Sequence, residues 1–160
     1  MNERGDRAPA QKTPTSRSGQ TTRIRKNLTD DERDLIDLLA SIDHKYENLL
    51  VVVEGRQDER ALRHFGVKSR LLRTQTRLGR AELVDQIVGI ARKEGQVLIL
   101  TDFDREGNDV CGLLQRELEL QKVKVLRGLR RKIRILMGDR RCIEDLEALF
   151  RRNDSPEMAI

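Results

Sequence analysis

The apolar positions of this chain change period several times, and each change predicts an element. Leu35, Ile36, Leu38, Leu39 and Ile42 recur at helical spacing. They follow Thr29-Asp30-Asp31-Glu32, a hydroxyl residue with Glu three positions on, so a capped helix is predicted over residues 28–46. Leu49-Leu50-Val51-Val52-Val53 is a short, continuous, β-branched run, the pattern of a strand buried on both faces. Asp58 is placed to cap a short helix carrying Ala61, Leu62 and Phe65 and closed by Gly66. A weaker strand is expected from Ser69 to Leu72. Residues 80–94 predict an amphipathic helix with Leu83, Val84, Ile87, Val88 and Ala91 inward. Val97-Leu98-Ile99-Leu100 is a second buried strand, ending at Thr101-Asp102. A helix from about Gly107 to Leu120 and a strand from Val123 to Leu126 follow. Arg131 to Leu136 alternates basic and apolar residues, as an edge strand would, and Ile143 to Phe150 predicts a final short helix. Strands alternating with helices imply one α/β domain over residues 47–153, with a mainly parallel sheet of about four strands flanked by helices.

Residues 1–27 do not share this patterning. They are rich in Ser, Thr, Gln, Gly, Pro and Arg, and a disordered basic tail is expected there. Residues 1–28 hold seven basic and two acidic residues, so the formal charge of +5 resides in this tail. The remainder is neutral but segregated. Residues 56–80 and 122–141 are basic, with eight against two and nine against one; residues 29–54 and 81–121 are acidic, with eight against two and nine against four. Such blocks suit an acidic metal site beside basic phosphate-holding surfaces, and equally suit long Arg side chains covering helix and strand faces. Cys111 and Cys142 stand far apart in no paired spacing, which argues against a disulfide framework and for a reducing, cytoplasmic setting. With His44 and His64 they make a poor zinc inventory. No run is long and apolar enough to span a membrane, and no apolar leader segment is recognisable.

The chemistry concentrates in Thr101-Asp102-Phe103-Asp104-Arg105-Glu106-Gly107, three carboxylates just past a buried strand. Acids so close repel one another unless a cation compensates, and hard oxygen ligands favour magnesium or manganese over zinc. Glu54-Gly55 ends the other buried strand; if the two strands are neighbours, Glu54, Asp102 and Asp104 converge. An EF-hand loop starting at Asp102 would need an acid at Leu113 and a preceding helix, and has neither. A haloacid-dehalogenase-type phosphatase would prefer Thr or Val where Glu106 stands. An acidic turn that caps a helix explains one carboxylate well and three poorly. Asp58 reads as a helix cap, His64 as a helix-face residue and Cys111 as helix packing.

Val53-Glu54-Gly55 with Asp58, followed by Leu100-Thr101-Asp102-Phe103-Asp104-Arg105-Glu106-Gly107, resembles the Toprim domain of topoisomerases, bacterial primases and certain nucleases. The Asp-x-Asp-Arg-Glu-Gly wording is closest to the type IA topoisomerase version. In length the chain resembles the small archaeal stand-alone, or small primase-like, Toprim proteins. The likeness covers about residues 48–130, with a looser match at Ile143-Glu144-Asp145-Leu146. It implies a Rossmann-like fold, Glu54 as general acid/base or metal ligand, and Asp102, Asp104 and Glu106 as further ligands. It also implies one or two Mg2+ ions, with Mn2+ as a substitute, and Gly55 and Gly107 as structural glycines.

Nearby cations are candidate phosphate contacts: Arg56 and Arg105 beside the acids, and Arg130, Arg131 and Lys132 in the second basic block. A surface ion pair is the competing role for Arg56 and Arg105. Tyr46 matches no nucleophile motif, so a complete topoisomerase is not expected. Aromatic residues make up 2% of the chain, so contact with RNA or DNA would run through phosphates. Two functions follow: a metal-dependent enzyme on nucleic-acid phosphodiesters, nuclease-like or primase-like, or a noncatalytic nucleic-acid-binding or assembly module that retains the metal site. A chain whose site is completed by a partner protein is a third.

Overall fold

Four short strands carry the alternation that builds two cores. The computed structural model describes residues 28–92 and 95–154; the expected tail at 1–27 lies outside the described residues. β1 (Leu49–Val53), β2 (Arg70–Arg73), β3 (Gln96–Leu100) and β4 (Lys124–Val125) form one sheet in the order β2-β1-β3-β4. All pairings are parallel, and β1 and β3 lie side by side with Val53 opposite Leu100. Successive side chains of a strand point to opposite faces. Accordingly Val51, Val53, Leu98 and Leu100 enter one apolar cluster, and Leu50, Val52, Val97 and Ile99 enter the other.

Six α-helices of the described residues cover these faces. α1 (Asp30–Lys45), α2 (Arg56–His64), α5 (Arg127–Met137) and α6 (Glu147–Asp154) pack on the first cluster. α3 (Arg80–Ala91) and α4 (Arg105–Leu120) pack on the second. α1 starts as expected: Thr29 accepts the Glu32 N–H, and Glu32 in turn accepts the Thr29 N–H at 3.0 Å. It buries Leu35, Leu38, Leu39 and Ile42 against the sheet and shares its core. No helix of the described residues is long and apolar enough to cross a membrane.

The edge strand expected at Arg131–Leu136 is instead the middle of α5. The local alternation is part of a longer helical pattern, in which Leu129, Arg130, Ile133, Leu136 and Met137 face inward. A strand would have put Ile133 and Ile135 on one face; Ile133 is fully buried and Ile135 is 64% exposed. The helix still closes the sheet edge. β4 pairs only with Gln96 and Val97, and the Val97 carbonyl accepts the Leu126 N–H. The next carbonyls on that edge, of Ile99 and Thr101, accept hydrogen bonds from the Arg130 guanidinium at 2.9 and 2.8 Å. One side chain takes over where the edge strand stops.

Candidate metal centre

Strand order places the site. The chain steps from β1 outward to β2, then crosses back to β3 on the other side of β1, so the strand order reverses between β1 and β3. Loops leaving the carboxyl ends of strands at such a point diverge and leave a crevice. Glu54 leaves β1 there, and Asp102 and Asp104 follow β3.

Each carboxylate is oriented by a backbone N–H. Glu54 Oε1 accepts the Asp102 N–H at 3.2 Å, which ties the two strand ends together. Asp102 Oδ1 accepts the Ile143 N–H at 3.2 Å. Asp104 is the N-cap of α4, its Oδ1 accepting the Gly107 N–H at 2.7 Å. Thr101, wholly buried, donates its hydroxyl to the Gly107 carbonyl at 2.8 Å. A β-carbon on Gly107 would collide with the Asp102 carbonyl and lie 2.9 Å from Glu54 Oε1, so only glycine admits this close approach. At Gly55 the corresponding neighbour is the end of the flexible Gln75 side chain.

The electrostatics are those of acids held together. Burial, then the charges of Asp102 and Asp104, push the Glu54 carboxyl up to about 7. The helix starts before the expected cap: Gly55 is the N-cap of α2, and Asp58 is buried at its third position, where its carboxylate accepts the Gly55 N–H at 2.9 Å; burial and the Asp102 charge raise its pKa. Glu54, Asp102, Asp104 and Glu106 enter no ion pair with a described residue. Burial lowers the pKa of the Arg130 guanidinium, and the charges of Glu54 and Asp102 oppose that shift.

Arg130 is therefore not the surface phosphate contact expected. Its guanidinium is buried over the Phe103 ring, 4.4 Å from the centroid. It also donates to the Asp102 carbonyl and to Asn108 Oδ1. Arg56, Arg105, Arg131 and Lys132 are exposed, the first two at the starts of α2 and α4 beside the acids. Glu106 is exposed on the first turn of α4 and shares with Glu54 the wall of a cavity of about 240 Å³.

A second acidic wall comes from Ile143-Glu144-Asp145-Leu146, the segment whose resemblance was the looser one. Cys142 caps a short 3-10 turn, Ile143–Leu146, which carries Glu144 and Asp145 beside the acids. Burial and the charges of Asp102, Asp145, Asp104 and Glu144 push the Cys142 thiol up to about 11, keeping it protonated. The acidic pair following a basic block was the signal for this wall. Among the described residues, no three His, Cys, Asp or Glu side chains stand at metal-ligand spacing.

No family model matches the chain. A solved structure of a protein from Aquifex aeolicus is similar in fold, with a TM-score of 0.54 and 18% identity over 75% of this chain and 98% of that one. UPF0292 proteins of Thermococcus onnurineus and Thermococcus sibiricus are 41% and 38% identical over 101 and 106 residues. These matches span 62% and 66% of this chain and 72% and 80% of theirs. A UPF0292 protein of Methanocaldococcus jannaschii is 29% identical over 72% of this chain and 87% of its own. With two thirds or more of such relatives matched at this identity, the chain belongs to the UPF0292 family.

Proposed function

We propose that the chain is a Toprim-type, magnesium-dependent protein that acts on nucleic-acid phosphodiesters in the cytoplasm, by nuclease-like phosphoryl transfer in preference to primase-like synthesis. The observation that carries this is the meeting of Glu54 with Asp102 and Asp104 at the carboxyl ends of two neighbouring parallel strands. The donor chemistry suits the ion, although no three of these groups stand at metal-ligand spacing among the described residues: the carboxylates offer hard oxygens, and their mutual repulsion is what a divalent cation relieves. Asp102, Asp104 and Glu54 would hold Mg2+, with Glu106 at the rim. Bound there, the ion would neutralise charge developing on phosphate oxygens. Glu54, with a carboxyl pushed up to about 7, is suited to move a proton near neutral pH. Arg56 and Arg105 stand where they can hold the strand.

A noncatalytic nucleic-acid-binding or assembly module, alone or with a partner protein, is the second reading. It is favoured by the exposed cations Arg56, Arg105, Arg131 and Lys132, which can hold phosphates without turnover. Turnover separates the two. The full chain, Glu54→Gln and Asp102→Asn are assayed with Mg2+ or Mn2+ on labelled single- and double-stranded RNA and DNA, scoring cleavage and primer synthesis. The enzyme reading expects metal-dependent turnover lost by roughly a hundredfold or more in both variants while they stay folded. Salt-sensitive binding without turnover supports the module instead.

A further inference from the structure

On the α5 face of the same strand ends lies a cavity of about 340 Å³, bordered by Phe103, Arg134, Ile135, Asp139, Arg140 and Arg141. Three cations face one acid. Arg140 is engaged with Glu32 at 3.0 Å, whereas Arg134 and Arg141 are exposed and enter no ion pair with a described residue.

The cavity is tied to the acids by backbone. Phe103, between Asp102 and Asp104, donates its N–H to the Arg141 carbonyl at 2.6 Å, which joins the loop bearing Arg141 to the loop bearing the carboxylates. A lone anion would be repelled by acids that close. A ligand with several phosphates, one beside the carboxylates and the next among the arginines, satisfies both surfaces. The cavity on the opposite face differs: Leu78, Leu83 and Val110 give it apolar walls, and Arg80 is its one cation. We propose that the Arg134–Arg141 cavity is a phosphate-binding subsite, which directs a nucleic-acid strand from the acidic cluster towards α5. This deepens the function proposed above and rests on it for the identity of the strand.

The test is fluorescence anisotropy with labelled single-stranded RNA and DNA of about a dozen nucleotides, in Mg2+, with the Glu54→Gln chain. Arg134→Gln with Arg141→Gln is expected to weaken binding by about tenfold or more. The slope of log affinity against log salt should fall by about 1.4, as two phosphate contacts require. Arg134→Lys with Arg141→Lys should recover most of the affinity. Lys122→Gln with Lys124→Gln, exposed cations at the amino end of the sheet, should bind within about twofold of the parent. A loss confined to 5′-phosphorylated oligonucleotides assigns the cavity to a terminal phosphate, and an equal loss without that phosphate to an internal one; both support the subsite. Calorimetric Mg2+ binding to the wild-type chain is measured alongside. If Mg2+ binds and the glutamine pair keeps parental affinity and slope, the subsite is overturned. If Mg2+ does not bind, the proposed function fails, while the arginine comparison still decides the cavity.

Discussion

Gly107 and Gly55 flank the acids alike in the sequence, yet the structure gives them different tolerances. Gly107→Ala drives a methyl group into the Asp102 carbonyl, and a loss of about 3 kcal/mol or more is expected in denaturant titration. Gly55→Ala has only the Gln75 side chain to displace and should cost less than about 1 kcal/mol. Equal losses would contradict the packing described. Arg130→Met would leave the Ile99 and Thr101 carbonyls without their donor, and should cost about 2–4 kcal/mol. Glu54 makes the pH dependence specific. Its folded pKa of about 7 lies above the unfolded value of 4.5, so the folded protein holds this proton more tightly. The stabilisation is complete below 4.5 and is lost as pH rises through about 7. The melting temperature of the metal-free protein should therefore fall from pH 5 to pH 8, and fall less in Glu54→Gln. Parallel slopes for the two proteins would mean that Glu54 does not carry this proton.

The strands that position the site were legible because they are short, apolar throughout and end in acids. Among the described residues, no other strand is buried as fully as Leu49–Val53 and Val97–Leu100. α1 was legible through its capping box. α5 was not, because six residues of alternation resemble a strand while the helical period shows only over the whole of Arg127–Met137. The two assignments make opposite claims on neighbouring isoleucines. The helix expects Ile133→Ala to cost about 2–4 kcal/mol and Ile135→Ala less than about 0.5 kcal/mol, read by chemical denaturation. Similar costs at both positions would restore the strand. What hid α5 also hid its function in the fold. An arginine within a basic run reads as a surface charge, and only the shortness of β4 reveals that Arg130 completes the edge of β3.

The chain as a single folded unit gathers two signs of charge at one end of its sheet. The acidic half was readable in sequence: Glu54 and the Asp102–Glu106 segment each follow a strand, and the pairing of β1 with β3 brings Glu54 beside Asp102 and Asp104. The basic half was readable only as composition. Which arginines turn inward and which face the cavity beside Phe103 depends on the rotation of α5, a tertiary fact. The acids at 144 and 145 likewise matter because Ile143 is hydrogen-bonded to Asp102, forty-one positions away. The proposed function requires that Glu54, Asp102 and Asp104 together hold a divalent cation. The direct measurement is calorimetric titration of the full chain with Mg2+ and Mn2+ at pH 6 and pH 8, beside Asp102→Asn. Saturable binding that strengthens with pH, releases protons and disappears in Asp102→Asn is the predicted result. Binding that is absent, or that Asp102→Asn leaves unchanged, would contradict it.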